Sequence, residues 1–365
     1  MGLSVSTPTT LPTRSGLDRN PSLDATRAVA LLGIIVLNYH GYLNGYEAIG
    51  ADKENFFVRI MDAWNGVLAP SPVIFVLVSG ISCSLFTSAN FDRWTLLRRG
   101  VLLFTLGSMF EWVWNGTILP YFGLYFVLAA GLVTWSRRNI ALIAIVCTVS
   151  AAALSMWRFF RERDFHSTAW LSPSRPDTPR NFVFRYFVDY THPILPWFTF
   201  FCVGLLIGRS LPWFFANRRR LFVPLVAAVA AVYTLSTVVR RGTDGAWQRL
   251  TSTDPFERGV LATLGVTLSA LLVIIVVSWV VEAFPSSPIT DVFVRAGRIS
   301  LTLYVLHGLA YNLVINRLEL VRPTGLDTAL GLSVLMWVLL VSFGAWWDRF
   351  IGRGPLERLL RGFGG

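Results

Sequence analysis

Apolar runs of membrane-spanning length recur from residue 24 to the C-terminus, separated by short polar stretches rich in Arg, Asp, Pro and Gly. The pattern predicts ten helices, at about 24–43, 64–86, 95–114, 118–135, 139–157, 193–208, 221–239, 258–281, 299–316 and 326–347. The expected fold is an all-α polytopic membrane protein of about ten transmembrane helices. Residues 1–21 read as a mobile cytoplasmic tail and 354–365 as a second one. The single transmembrane domain lies between them at 22–353, with its longest soluble loop at about 158–190.

Composition agrees with the pattern. Hydrophobic residues make up 54% of the chain, charged residues 15%, and the mean hydropathy is +0.56. A soluble domain of 365 residues needs more charge to cover its surface. Apart from Lys53 every basic side chain is Arg, and the arginines gather in alternate connections: 93–99, 137–138, 209–220, 295–298 and 349–361. The positive-inside bias makes these connections cytoplasmic, along with both termini, and places the 158–190 loop outside. The net charge of +11 is therefore topogenic and calls for no nucleic acid. Cys83, Cys147 and Cys202 sit singly in apolar runs, so neither a disulfide nor a metal cluster is expected. Asn115 opens a glycosylation sequon, but the match adjoins a membrane segment and is set aside as a modification site.

In a bilayer the informative residues are the polar ones that hydrocarbon should exclude. His40 falls at the outer end of the first helix, His192 at the outer start of the sixth, and His307 near mid-depth in the ninth. Glu111, Trp112, Trp114 and Asn115 close the third helix on the same side, and Asn312 lies one turn outward of His307. The inner ends carry Arg27, Arg98, Arg99, Arg295 and Arg298. Guanidinium groups inside, with imidazole, amide and carboxylate groups in the outer half, suit a polyanionic cytoplasmic donor whose reactive end reaches upward, as acyl-coenzyme A would. Positive-inside topology and an ordinary aromatic belt account for the same arginines and tryptophans without any site.

The run LDATRAVALLGIIVLNY, residues 23–39, resembles the first helix of the heparan-α-glucosaminide N-acetyltransferase-like membrane proteins, with Asp24, Arg27 and Asn38 at the recurrent positions. WNGVLAPSPVIFVLVSGIS, LLRRGVLLFTLGSMFEWVWNGTILPYFGLYFVL and HPILPWFTFFCVGLLIGR resemble later helices of that family in the right order. GRISLTLYVLHGLAYNLV and RGPLERLLR resemble the C-terminal part of related bacterial proteins, and the former is also similar to the acyltransferase-three family, which carries a His at that place. The resemblance implies transfer of an acyl group, with acetyl the first expectation, from cytoplasmic acyl-CoA to a sugar-type hydroxyl or amine outside, with no permanently bound cofactor. In an ideal helix Asp24, Arg27 and Asn38 share one face within about sixty degrees and span about 21 Å of depth.

On this basis the expected catalytic residues are His40 as base and Asn38 as oxyanion donor or orienter, with His307 as the alternative base. The donor is expected at Asp24, Arg27, Arg98, Arg99 and Arg298, and the acceptor at Trp64, Asn65, Glu111, Trp112, Asn115 and His192. The sequence departs from the family at three places. The family histidine eleven residues after Asn38 falls on Ile49 here, Thr117 stands where many bacterial relatives carry Asp, and Phe110 where many carry His. His40 points away from the Asn38 stripe of an ideal helix, so it reaches the same site only if the helix breaks near Gly41. The expected partners are membrane lipids, acyl-CoA and an exoplasmic carbohydrate or glycolipid, with a homodimer left open, in the plasma (inner) membrane. A flippase of lipid-linked sugars and a non-catalytic membrane scaffold are the rival readings. CoA thioester turnover separates the first rival from an acyltransferase, and dispensable His40 and His307 would mark the second.

Overall fold

The computed structural model describes residues 20–44, 70–88, 92–242, 245–321 and 326–364. In chain order the helices are α1 (Pro21–Asn44), α2 (Pro70–Ser88), α3 (Arg93–Phe110), α4 (Leu119–Leu132), α5 (Arg137–Arg163), α6 (Pro179–Val183) and α7 (Ile194–Gly208). They continue as α8 (Leu211–Gly242), α9 (Ala246–Leu250), α10 (Val260–Ala283), α11 (Pro288–Arg298), α12 (Ser300–Tyr311), α13 (Leu326–Phe350) and α14 (Pro355–Gly364). No strand occurs among the described residues.

Five of these helices are long and apolar enough to cross a membrane: α1, α5, α8, α10 and α13. A sixth candidate is the pair of α11 with α12 and its π-helical extension Asn312–Arg317, bent by 83°. The apolar helices α2, α4 and α7 are shorter, and α3 opens on three arginines. Length and composition thus support a multi-pass membrane protein with five to six full spans. The burial pattern is that of a chain solvated by lipid. On α8 only Leu211, Phe214 and Ser236 are buried, while Val223, Val226, Leu235 and Val238 face outward. An apolar helix with an apolar outer face is stable only where the solvent is hydrocarbon.

The core sits where α1 and α2 meet α7, α10, α11 and α13. Without a hydrophobic drive between helices in lipid, close packing holds them together. The α2–α7 crossing shows how: a Cβ at Gly80 would overlap the Phe201 carbonyl, and one at Gly204 the Leu77 carbonyl. Only glycine lets the two backbones touch.

Two stretches differ from the sequence expectation. Residues 288–298, read as part of a connection, form the amphipathic helix α11, capped by Ser287 and carrying an Asp291–Arg295 pair on its exposed side. Its eleven residues alternate too finely between apolar and charged positions to register as a span. The stretch at 355–364, read as a tail, is the helix α14 docked against α3 and α12. Its Glu357 carboxylate accepts from the backbone N–H groups of Leu301 and Thr302 at 2.8 and 3.1 Å and from the Thr302 hydroxyl at 2.5 Å. Those amides begin α12, whose own N-cap residue Ile299 has no polar side chain, so α14 supplies the missing cap.

Candidate active site

α12 delivers His307 to the interior beside α1. The imidazole is 0% exposed. Its Nδ1 hydrogen-bonds the Tyr304 carbonyl one turn back, and its Nε2 lies 3.0 Å from Asn38 Nδ2. A carbonyl can only accept, so Nδ1 carries the proton and Nε2 of the neutral ring carries the lone pair, to which the Asn38 amide donates. The backbone of α12 thereby selects the tautomer whose basic nitrogen faces α1.

The ring is boxed by aromatics. Tyr39, itself 0% exposed, stacks at 6.3 Å between centroids and donates its hydroxyl to the His307 carbonyl at 2.9 Å. Trp114 meets the imidazole edge-on at 5.5 Å, and Tyr304 lies tilted against it at 4.9 Å. The Tyr304 hydroxyl hydrogen-bonds Thr117 Oγ1 at 3.1 Å and accepts from the Ile118 N–H at 3.2 Å. Asn312 Nδ2 donates to the Val113 carbonyl at 2.9 Å. The 111–118 segment is therefore fastened over α12 at three points. Trp114, which sequence alone places in an interfacial belt, is instead 1% exposed against the histidine.

The start of that segment joins a second cluster. Glu111 is ion-paired with Arg185, whose side chain is 1% exposed, stands 3.7 Å over the Tyr190 ring, and also binds the Pro173 and Ser174 carbonyls. Tyr121 packs on Tyr186 at 5.2 Å and on His192 at 5.7 Å, and His192 packs on Trp197 at 4.5 Å. Glu111 and His192 thus belong to one aromatic-lined neighbourhood, whereas Trp112 is 90% exposed and Asn115 is also exposed. Arg185 carried no sequence signal, because an arginine in a mixed-charge loop looks solvated.

At the opposite end of α1, Asp24 and Arg27 pair at 2.6 Å, and Arg27 also donates to Ser82 Oγ at 2.6 Å. A Cβ at Gly297 would overlap the Asp24 carbonyl, so α11 closes directly on this pair. Arg298 reaches Asp348 at 3.2 Å. Arg99 sits near Cys83 and Arg361, and Arg98 is exposed. The donor residues expected from sequence therefore fall in the first turns of α1 and α3 and at the C-terminal end of α11.

α1 continues as helix through Gly41 to Asn44. The backbone break that would turn position 40 toward Asn38 is absent, and the side chain of His40 lies outside the described residues, as do Trp64 and Asn65.

A multi-pass helical protein with a buried imidazole whose tautomer a backbone carbonyl selects defines a class: all-helical membrane proteins with a polar cluster inside the bundle. The family model for heparan-α-glucosaminide N-acetyltransferase, catalytic, matches residues 19–241, more than half of the 365, and the chain belongs to that family of membrane acyltransferases. A second model, described as a protein of unknown function (DUF418), matches residues 212–363. No curated protein matches the chain. Asn38 comes from the first region and His307 from the second, so the pair spans the two matches.

Proposed function

We propose that the chain transfers an acyl group, acetyl in the first instance, from cytoplasmic acyl-CoA to a hydroxyl or amine of an exoplasmic glycan or glycolipid, with His307 as general base. One observation carries the assignment: Asn38 Nδ2 stands 3.0 Å from His307 Nε2 while Nδ1 is held by the Tyr304 carbonyl. The acceptor O–H or N–H takes the place of the Asn38 donor at Nε2 and gives up its proton as it attacks the thioester carbonyl. The displaced amide turns its N–H groups to the developing oxyanion. Collapse of the tetrahedral intermediate breaks the C–S bond, and the imidazolium returns its proton to the departing CoA sulfur.

The basic end formed by Arg27, Arg98, Arg99 and Arg298 suits the CoA phosphates, since guanidinium matches phosphate geometry. The Glu111–Arg185–His192 neighbourhood suits a polyhydroxylated acceptor, with aromatic faces and fixed polar groups side by side. We assign ten spans, with α2, α3, α4 and α7 as short ones, both termini cytoplasmic, and the 158–190 segment outside, in a plasma (inner) membrane. Cysteine labelling of intact cells at Ser174→Cys but not at Ser15→Cys supports that orientation, and the reverse result reverses it.

The deciding experiment incubates purified full-length protein with radiolabelled acyl-CoAs and cell-envelope extract and identifies the labelled product. Transfer that is lost in His307→Ala, with acyl-CoA binding retained, supports the reading. Transfer that survives in that variant removes His307 from the chemistry, and no labelled glycan with any acyl-CoA removes the activity.

A further inference from the structure

The stretch RGPLERLLR at 353–361 lies outside the acyltransferase region at 19–241. Its first half seats α14. Pro355 starts the helix, and a Cβ at Gly354 would overlap the Glu357 carboxylate and the Thr302 hydroxyl. Only glycine lets the chain turn in this close to α12. Glu357 then accepts from the Leu301 and Thr302 amides, and the Leu356 N–H donates to Thr302 Oγ1 at 3.3 Å. α12 follows Arg298 with one residue between them, so this anchor holds α14 next to one of the donor arginines.

The second half carries Arg361. Glu357 and Arg361 stand four residues apart on one helix face, the spacing at which a glutamate and a following arginine pair. Here the carboxylate is taken by the α12 amides, and among the described residues no carboxylate pairs with Arg361. Arg361 is exposed, and its charge is felt instead at Arg99 of α3, the helix against which α14 packs. Arg98, also exposed, precedes Arg99 on α3. α14 thus ties together two sets of donor residues, Arg298 at the head of α12 and Arg98 with Arg99 on α3. Two like charges across a helix–helix joint repel, and a phosphate between them removes that cost. An acyl-CoA carries a pyrophosphate and a separate ribose phosphate, more anionic groups than the α3 arginines alone would meet.

We propose that Arg361 is a donor-binding residue that meets a phosphate of acyl-CoA together with Arg99, so that α14 completes the donor site. The inference rests on the acyl-CoA reading of the basic end.

The test is equilibrium dialysis of the purified full-length protein against radiolabelled acetyl-CoA, and against acetyl-pantetheine, which keeps the thioester and lacks every phosphate. Arg361→Gln should weaken acetyl-CoA binding by about tenfold or more, the effect of one lost charge-assisted phosphate contact, and leave acetyl-pantetheine binding as in wild type. Arg361→Lys keeps a point charge and should recover most of the affinity. Arg349→Gln removes an equal charge at the end of α13, where the guanidinium lies over Phe350, and should change acetyl-CoA affinity by less than about twofold. Equal losses in Arg361→Gln and Arg349→Gln would mean general surface charge and overturn the assignment. A loss shared by acetyl-pantetheine would mean a displaced helix and do the same, as would undiminished acetyl-CoA affinity in Arg361→Gln. A wild-type protein that binds no acetyl-CoA would remove the donor reading itself, and the role of Arg361 with it.

Discussion

The sharpest consequence of the geometry concerns Asn38. Asn38→Leu replaces the amide with an apolar group of nearly the same volume and removes the donor 3.0 Å from His307 Nε2. Two roles give different magnitudes. If Asn38 only orients the imidazole, the loss is one neutral hydrogen bond, about 0.5–1.5 kcal/mol, or roughly two- to tenfold in kcat. If the amide turns to the oxyanion, the loss is about 2.7–4 kcal/mol, or roughly a hundred- to a thousandfold. The mechanism above requires the larger value. Folding should suffer less, because the unsatisfied buried nitrogen costs about 1–3 kcal/mol and the leucine recovers part of it by packing.

The assay is initial-rate transfer of labelled acetyl from acetyl-CoA to envelope glycan by purified protein, with CoA release followed in parallel. Wild type, Asn38→Leu, His307→Ala and the double variant make a cycle. His307→Ala should lose about a hundred- to ten-thousandfold. The imidazole takes the proton and the amide stabilises the oxyanion, but the two groups touch, so the double variant should be slower than either single one yet lose less than the product of the two losses. An Asn38→Leu enzyme within about tenfold of wild type refutes the oxyanion role. Losses that multiply in the double variant refute the pairing itself.

Three further outcomes follow from particular contacts. Tyr304→Phe strands the buried Ile118 N–H and the Thr117 hydroxyl, and should lower stability by about 1–3 kcal/mol in a thermal melt; an unchanged melting temperature means the 111–118 segment is held elsewhere. Glu111→Gln leaves Arg185 as a buried cation without its carboxylate and should cost about 3–5 kcal/mol, with Arg185→Gln in the same chain restoring part of it; no rescue by the second change would mean that Glu111 serves some purpose other than this pair. Gly297→Ala drives a methyl into the Asp24 carbonyl and should cost about 1–3 kcal/mol while weakening acyl-CoA binding, measured by equilibrium dialysis; intact affinity would remove the Asp24–Arg27 pair from the donor site.

Much of the architecture can be read directly from the chain, because in hydrocarbon every span must satisfy its own backbone and cover itself with apolar side chains. That rule writes each long helix into the sequence locally. Polar residues inside such runs are costly enough to stand out, so Asn38, His307 and Asp24 with Arg27 could be singled out before any contact was known. Depth, too, follows from counting along a helix axis.

What the sequence could not contain is the pairing across distance. Asn38 and His307 are 269 residues apart, and nothing local to either says that α12 lies against α1. The tautomer depends on a carbonyl of α12, the cap of α12 on Glu357 from α14, and the burial of Arg185 on a carboxylate at the end of α3. The short amphipathic α11 escaped because eleven residues bearing three charges fall short of a membrane span, although Asp348 and the α1 backbone give those charges and glycine their place. Local composition decides that a segment is a helix and how deep its residues sit. Only the packing of helices whose partners are far away in the chain decides which polar groups meet, and the candidate chemistry of this protein lies in those meetings.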